Sequence, residues 1–132
     1  MSAELHRKIR KEIDAGRVAL EATRYAQEAG FEETPSRLIA TAVSELVRNI
    51  LKYASHGEIR LRRVKEMARR GIEIEAIDHG PGIADCEAAM RDHHSTGGTL
   101  GLGLPGVKRM MDDFSLESTV GEGTRVTARK WL

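Results

Sequence analysis

The stretch GEIRLRRVKEMARRGIEIEAIDHGPG, Gly57 to Gly82, decides how the rest of the chain is read. Ile59 and Leu61 alternate with Arg60 and Arg62, and Ile72, Ile74 and Ala76 alternate with Glu73 and Glu75. That period of two is what a strand with one buried face requires. Arg69-Arg70-Gly71 is expected to turn between the two runs, which makes a hairpin, and Asp78-His79-Gly80-Pro81-Gly82 ends it.

Upstream of the hairpin the period is helical. Val18, Ala22, Tyr25, Ala26 and Ala29 recur at three- and four-residue spacing, with Asp14 as the expected cap and Gly30 at the left-handed C-terminal position. A second helix is expected from Thr34 as N-cap with Pro35 in its first turn, burying Ile39, Val43, Leu46, Val47, Ile50 and Ala54 and ending near His56 and Gly57. Leu5 to Ile13 reads as a charged edge strand. Downstream, a short helix is expected around Asp85 to Arg91, a loop from His93 to Gly103, a helix from Leu104 to Asp113, and strands from Phe114 to Val120 and Thr124 to Trp131 around the turn Gly121-Glu122-Gly123. Early helices followed by hairpin-linked strands argue for an α+β, two-layer sandwich with helices on one face of a mostly antiparallel mixed sheet.

The chain has 132 residues, enough for one domain spanning 1–132 that buries roughly two-thirds of its unfolded surface. Its 21 Lys and Arg face 20 Asp and Glu, a formal charge of +1, so neither a nucleic-acid binder nor an acidic-lipid binder is expected. No apolar run approaches the roughly 20 residues of a membrane span. The charged opening MSAELHRKIRKEI is unlike a signal peptide, and a lone Cys86 excludes an internal disulfide; a cytoplasmic setting follows most simply. The run Arg60, Arg62, Arg63, Lys65, Arg69 and Arg70 reads as a solvated hairpin face, with a partner surface as the sharper alternative.

Three fragments carry chemistry. Glu45 and Asn49 lie one helical turn apart on one face, beside the apolar stripe, with Leu38 and Ala42 rather than a basic residue one turn earlier. Asp78-His79-Gly80-Pro81-Gly82 places a carboxylate at a strand end, able to accept from an exocyclic amine and to repel a carbonyl, while two glycines permit close approach of a flat ligand. Gly97 to Gly106 is a glycine-dense run ahead of a helix, where backbone N–H groups can converge on phosphate. Gly101, Gly103 and Gly106 match a dinucleotide fingerprint by spacing, but no apolar strand precedes them. A P-loop fails because Val107-Lys108 follow Gly106. The histidines lack metal-ligand spacing.

In their order these fragments resemble the GHKL superfamily of ATPases and kinases with the Bergerat fold. Glu45-Leu46-Val47-Arg48-Asn49 is similar to its N box, Asp78 to Gly82 to its G1 box, and Gly101-Leu102-Gly103-Leu104 to its G2 box. The segments SELVRNI, DHGPGI, STGGTLGLGLPGVKRMMDDFSLES and GEGTRV resemble most closely the small serine/threonine kinases of sigma-factor partner switching, in particular those of the stressosome.

The resemblance implies ATP and Mg²⁺ as cofactors. Asn49 would ligate the metal, Asp78 would read the adenine amine, and Gly80 and Gly82 would make room for the base. Gly101 and Gly103, with the N–H groups of Leu102 and Leu104, would hold phosphates, Thr124 would complete the adenine pocket, and Glu45 would act as general base. Related kinases carry an Arg before the G2 glycines where Thr99-Leu100 stand here, leaving Lys52, Arg48 and Arg109 as candidates for a γ-phosphate contact. STAS-domain stressosome proteins are the implied substrates and a PP2C-type phosphatase the implied released-state partner. The alternatives are a non-catalytic, nucleotide-dependent partner-switching module and an anti-sigma factor kinase that binds sigma directly.

Overall fold

A computed structural model describes residues 4–90 and 103–132. In chain order the elements are β1 (Leu5–Ile9), α1 (Ile13–Glu28), α2 (Glu33–Ala54), β2 (Gly57–Glu66), β3 (Arg69–Asp78), α3 (Cys86–Ala89), α4 (Gly103–Met110), β4 (Asp113–Thr119) and β5 (Gly123–Trp131). The strands form one sheet in the order β1-β2-β3-β5-β4. All four pairings among the described strands are antiparallel, so the sheet is not mixed.

The helices lie on one face. Helix α2 packs against α1 on one side and α4 on the other, and across β1, β2, β3 and β5. Its Ile39, Val43, Leu46, Val47 and Ile50 meet Ile59, Leu61, Ile72, Ile74, Val126 and Ala128 from the sheet in one apolar cluster. At roughly 1.5–3 kcal/mol for each large side chain removed from water, this layer is the main stabilising contribution. The α+β sandwich expected from the period change is the observed architecture.

Several boundaries differ from those read in the sequence. Strand β1 stops at Ile9 because Ile13 already opens α1, where it is exposed. Asp14 is therefore inside the helix, and its carboxylate Oδ2 accepts the N–H groups of Arg10 and Lys11 just upstream, at 2.9 and 3.0 Å. Helix α2 starts at Glu33 with Glu32 as N-cap, ahead of Thr34, and ends at Ala54 with Ser55 left-handed at φ 64°. Helix α4 ends at Met110, leaving Asp113 to begin β4.

The hairpin turn is also displaced. Arg69, Arg70 and Gly71 pair with Glu66, Lys65 and Val64, and the chain reverses at Met67-Ala68, with Met67 at φ 54°. Gly71 marks close packing instead of a turn: a side-chain carbon there would overlap the Lys130 carbonyl and stand 2.9 Å from the Trp131 ring.

The outward face of the sheet is charged, but its charges are paired. Arg62 and Arg129 each donate through Nε to Glu73 at 2.8 Å. Glu75 accepts from Arg60 at 3.2 Å and from Arg125 at 2.6 Å. Arg69 contacts Glu66 and lies over the Trp131 ring, 4.1 Å from its centroid. Of the basic run of the hairpin, Arg60, Arg62 and Arg69 are thus matched by carboxylates.

Candidate functional site

Helix α2 carries the first part of the site. Glu45 interrupts the buried stripe and is only 7% exposed. Its Oε2 accepts the Gly103 N–H, at the start of α4, at 3.1 Å, and Arg48 Nη1 stands 3.4 Å from Oε1. The basic partner is therefore one turn later on the helix, not at the earlier positions Leu38 and Ala42. Burial of this carboxylate is offset by a charge-assisted bond from the free N–H end of a helix, a position that favours anions. Asn49 follows one turn on, half-buried, and no described residue bonds its side chain.

The end of β3 carries the second part. Asp78 is 4% exposed, and its Oδ1 accepts the Gly80 N–H at 3.0 Å, which bends the chain out of the strand. Gly57, preceding it across the hairpin, lets α2 close on this strand: a side-chain carbon there would stand 2.8 Å from Ile50 Cγ2 and 3.2 Å from Asp78 Cβ. Asp78 thus lies beside the residue that follows Asn49. Gly80 packs on the end of the same helix, where a side-chain carbon would come within 2.5 Å of Ala54 Cβ.

The third part comes from β4 and β5. Thr124 pairs with Asp78 across β3 and β5, and both are buried on the helix-facing side. Three contacts hold the loop after β3 to this hairpin: the Gly121 N–H donates to the Pro81 carbonyl at 2.8 Å, the Ile83 N–H donates to Ser118 Oγ at 2.7 Å, and Gly82 at φ 81° lies against Thr119. Gly123, at φ 128°, passes so near Asp78 that a side-chain carbon would overlap the Asp78 carbonyl. Gly80, Gly82 and Gly123 all serve close approach of the protein to itself.

Two groups are thus joined by contacts, Glu45 with Gly103 across α2 and α4, and Asp78 with Thr124 across β3 and β5, while Asn49 stands one turn beyond Glu45 on α2. Leu104 is 3% exposed and anchors α4 in the core. Gly101 and Leu102, with Thr99, Leu100, His93 and His94, lie outside the described residues. Arg48 contacts Glu45, Lys52 lies 5.3 Å from the Tyr53 ring centroid, and Arg109 also has an interaction partner. Gly121 and Gly123 read in the sequence as the turn between β4 and β5, but their contacts with Pro81 and Asp78, like the role of Ser118, arise from pairing across strands, which residue spacing does not encode. Among the described residues no cluster of His, Cys, Asp and Glu has metal-binding geometry, and no helix is long and apolar enough to cross a membrane.

A buried strand-end carboxylate, a helix-borne Glu and Asn one turn apart, and a glycine at a helix N-terminus are thus set on one α+β sandwich. Residues 10–130 match the model of the histidine kinase-like ATPase domain, and the chain belongs to that family. Within it, the chain is 51% identical over 107 residues to the serine/threonine-protein kinase RsbT of Bacillus subtilis, covering 81% of this chain and 80% of that protein. It is 36% identical over 98 residues to the anti-sigma F factor of a Thermoanaerobacter species, covering 71% and 68%. Among solved structures, the histidine kinase domain of the Erythrobacter litoralis blue-light activated histidine kinase shares the fold, with a TM-score of 0.54 at 21% identity. The match covers 90% of this chain and 59% of that one.

Proposed function

We propose that the protein is an ATP-dependent protein serine/threonine kinase of the partner-switching type. Its substrates are STAS-domain stressosome proteins of the RsbS and RsbR kind, and after release it binds and activates a PP2C-type phosphatase of the RsbU kind in the cytoplasm. The observation that carries the activity is Glu45: a nearly buried carboxylate bonded to the first N–H of α4, beside an Asn with no bonded partner among the described residues. The similarity to RsbT supports the kinase class and the partner-switching role.

The residues fit the groups they are asked to hold. Asp78 retains a carboxylate oxygen beyond the one that accepts from Gly80, matching an amine donor. Asn49 offers a hard amide oxygen of the type Mg²⁺ accepts alongside water and phosphate. Mg²⁺ bound with ATP would supply charge neutralisation along the phosphates. Asp78 and Thr124 would orient the adenine, and Gly101, Gly103 and the N–H groups of Leu102 and Leu104 would hold the phosphates.

The Gly103 N–H, which donates to Glu45 Oε2, would also be placed to hold a phosphate oxygen, and giving it up would leave Oε2 free. Glu45 would then accept the proton of the substrate Ser or Thr hydroxyl as the oxygen of that hydroxyl bonds to the γ-phosphorus. The bond from that phosphorus to the β–γ bridging oxygen breaks, and its electron pair leaves on ADP. Positioning and electrostatics suffice for such a transfer.

The test is incubation with labelled ATP, Mg²⁺ and STAS-domain proteins. Wild type is expected to label a Ser or Thr, and Glu45→Ala to reduce labelling by at least about a hundredfold, the contribution of a positioned general base. Binding of ATP by Glu45→Ala should stay within a few-fold of wild type. Unchanged labelling removes Glu45 from the mechanism, and phosphatase activation by the inactive variant would assign signalling to binding alone. The similarity to anti-sigma F factors favours one second reading, direct binding of a sigma subunit, which co-purification with sigma in place of a phosphatase would support.

A further inference from the structure

We infer that Ser118 fixes the hydrogen-bonding polarity of Thr124, so that Thr124 and Asp78 together form a two-acceptor clamp for one exocyclic amine. The inference rests on the adenine-nucleotide reading above and assigns a positioning residue that sets its base specificity.

The argument is an inventory of protons. Ser118 Oγ has one hydrogen to donate and two lone pairs. The Ile83 N–H, which can only donate, occupies one lone pair at 2.7 Å. The Gly123 carbonyl, which can only accept, stands 3.2 Å away and receives the Ser118 hydrogen. Thr124 Oγ1 lies 2.8 Å from the same Ser118 oxygen, and either atom of that pair has the chemistry to donate. The assignment that uses all three contacts sends the Ser118 hydrogen to Gly123 and makes Thr124 the donor.

The Thr124 hydrogen therefore points away from the ligand side, toward β4. No other described residue bonds Thr124 Oγ1, so its lone pairs are what it offers to a base. Asp78, its partner across the sheet, also offers only acceptors. Two acceptors side by side suit the two hydrogens of a primary amine and oppose a carbonyl. Without Ser118 the Thr124 hydroxyl turns freely and can donate to a carbonyl instead.

The two arrangements differ in sign as well as size. A 6-amino purine loses only the fixed orientation of its acceptor when Ser118 is removed, whereas a 6-carbonyl purine gains a donor. Thus ATP and inosine triphosphate should move in opposite directions, or at least unequally. Loss of the loop anchor at Ile83 alone would weaken both in the same proportion.

The experiment is titration calorimetry of the full chain with ATP and with inosine triphosphate, for wild type, Ser118→Ala and Ser118→Thr, alongside melting temperatures. Ser118→Ala is expected to lower the ratio of ATP to inosine triphosphate affinity by about tenfold, the discrimination carried by one buried hydrogen bond, with inosine triphosphate unchanged or tighter. Ser118→Thr, which keeps the hydroxyl, should restore the ratio. Parallel weakening of both nucleotides, or an unchanged ratio, overturns the inference. Should Ser118→Ala not fold, Ser118→Cys, similar in size and poor at hydrogen bonding, gives the same reading. A wild type that binds no ATP defeats the kinase proposal itself; a wild type that prefers ATP with a ratio unmoved in the variants defeats only the role of Ser118.

Discussion

The two faces of the sheet treat their acidic residues in opposite ways. On the outward face Glu73 and Glu75 each meet two arginines, so their carboxylate oxygens are matched by donors from neighbouring strands. On the helix-facing side Asp78 accepts one backbone N–H, and Glu45 one N–H and a longer contact from Arg48. Both groups of carboxylates are well buried, but only the second group keeps acceptor capacity in reserve. Saturated charges hold strands together, whereas unsaturated ones beside a helix N-terminus can serve a ligand. The side of the sheet on which an acid lies, more than its residue type, separates the acids paired with arginine from those with acceptor capacity in reserve.

The largest effect on this contrast is expected from Asp78→Asn. The amide oxygen can still accept from Gly80, so the turn survives and the melting temperature should change little. Its NH₂ group would face the ligand amine, donor against donor. A mispaired buried polar group costs roughly 1–3 kcal/mol, so ATP affinity by calorimetry should fall about a hundredfold. A large loss of stability with little loss of affinity would make Asp78 a structural acid like Glu73.

A smaller effect separates two neighbouring glycines. Both Gly121 and Gly123 have positive φ, at 86° and 128°. A side-chain carbon at Gly121 meets nothing within 4 Å, whereas one at Gly123 overlaps the Asp78 carbonyl. Gly121→Ala should cost about 1 kcal/mol of stability for the strained backbone alone. Gly123→Ala should cost roughly 2 kcal/mol or more and weaken ATP binding as well, because the clash displaces Asp78. Equal costs in denaturant unfolding would mean that the tight crossing has no bearing on the site.

The same contrast explains what was legible in the sequence. Period-two alternation through residues 59–76 and helical spacing through 39–50 report burial, so the architecture followed directly. The carboxylates at Glu45 and Asp78 stood out because charge beside an apolar stripe needs a reason. Turn position was harder: Met67-Ala68 contains neither Gly nor Asn, while Gly71, a residue typical of turns, is in the strand to admit Lys130 and Trp131. Arg62 and Arg129 could not be matched to Glu73 by spacing, since register between distant strands fixes those pairs. Ser118 was hidden for the same reason, being one residue of a strand whose meaning depends on what lies across from it.

The outward face has its own expected response, to acid. Burial alone would push the Glu73 carboxyl up, but hydrogen bonds and charge from Arg62 and Arg129 outweigh it and hold the group below its ordinary 4.5. Asp14 is likewise held below its ordinary 3.8, chiefly by the backbone N–H groups of Arg10 and Lys11. For a lowered carboxylate the unfolded chain binds the proton first, so the stabilisation is complete above the ordinary value and is lost as pH falls through the lowered one. Denaturant unfolding followed from about pH 7 down to about pH 3 should therefore show stability dropping below the ordinary carboxylate range. Glu73→Gln removes the ionisable group while retaining an acceptor for one arginine. It should cost roughly 1–2 kcal/mol at neutral pH and flatten the acid limb, so that wild type and variant converge on acidification. ATP affinity of this variant should match wild type, because Glu73 faces away from the helices. Parallel stability curves would assign the acid sensitivity to other carboxylates, and a loss of nucleotide affinity would mean that the two faces of the sheet are coupled.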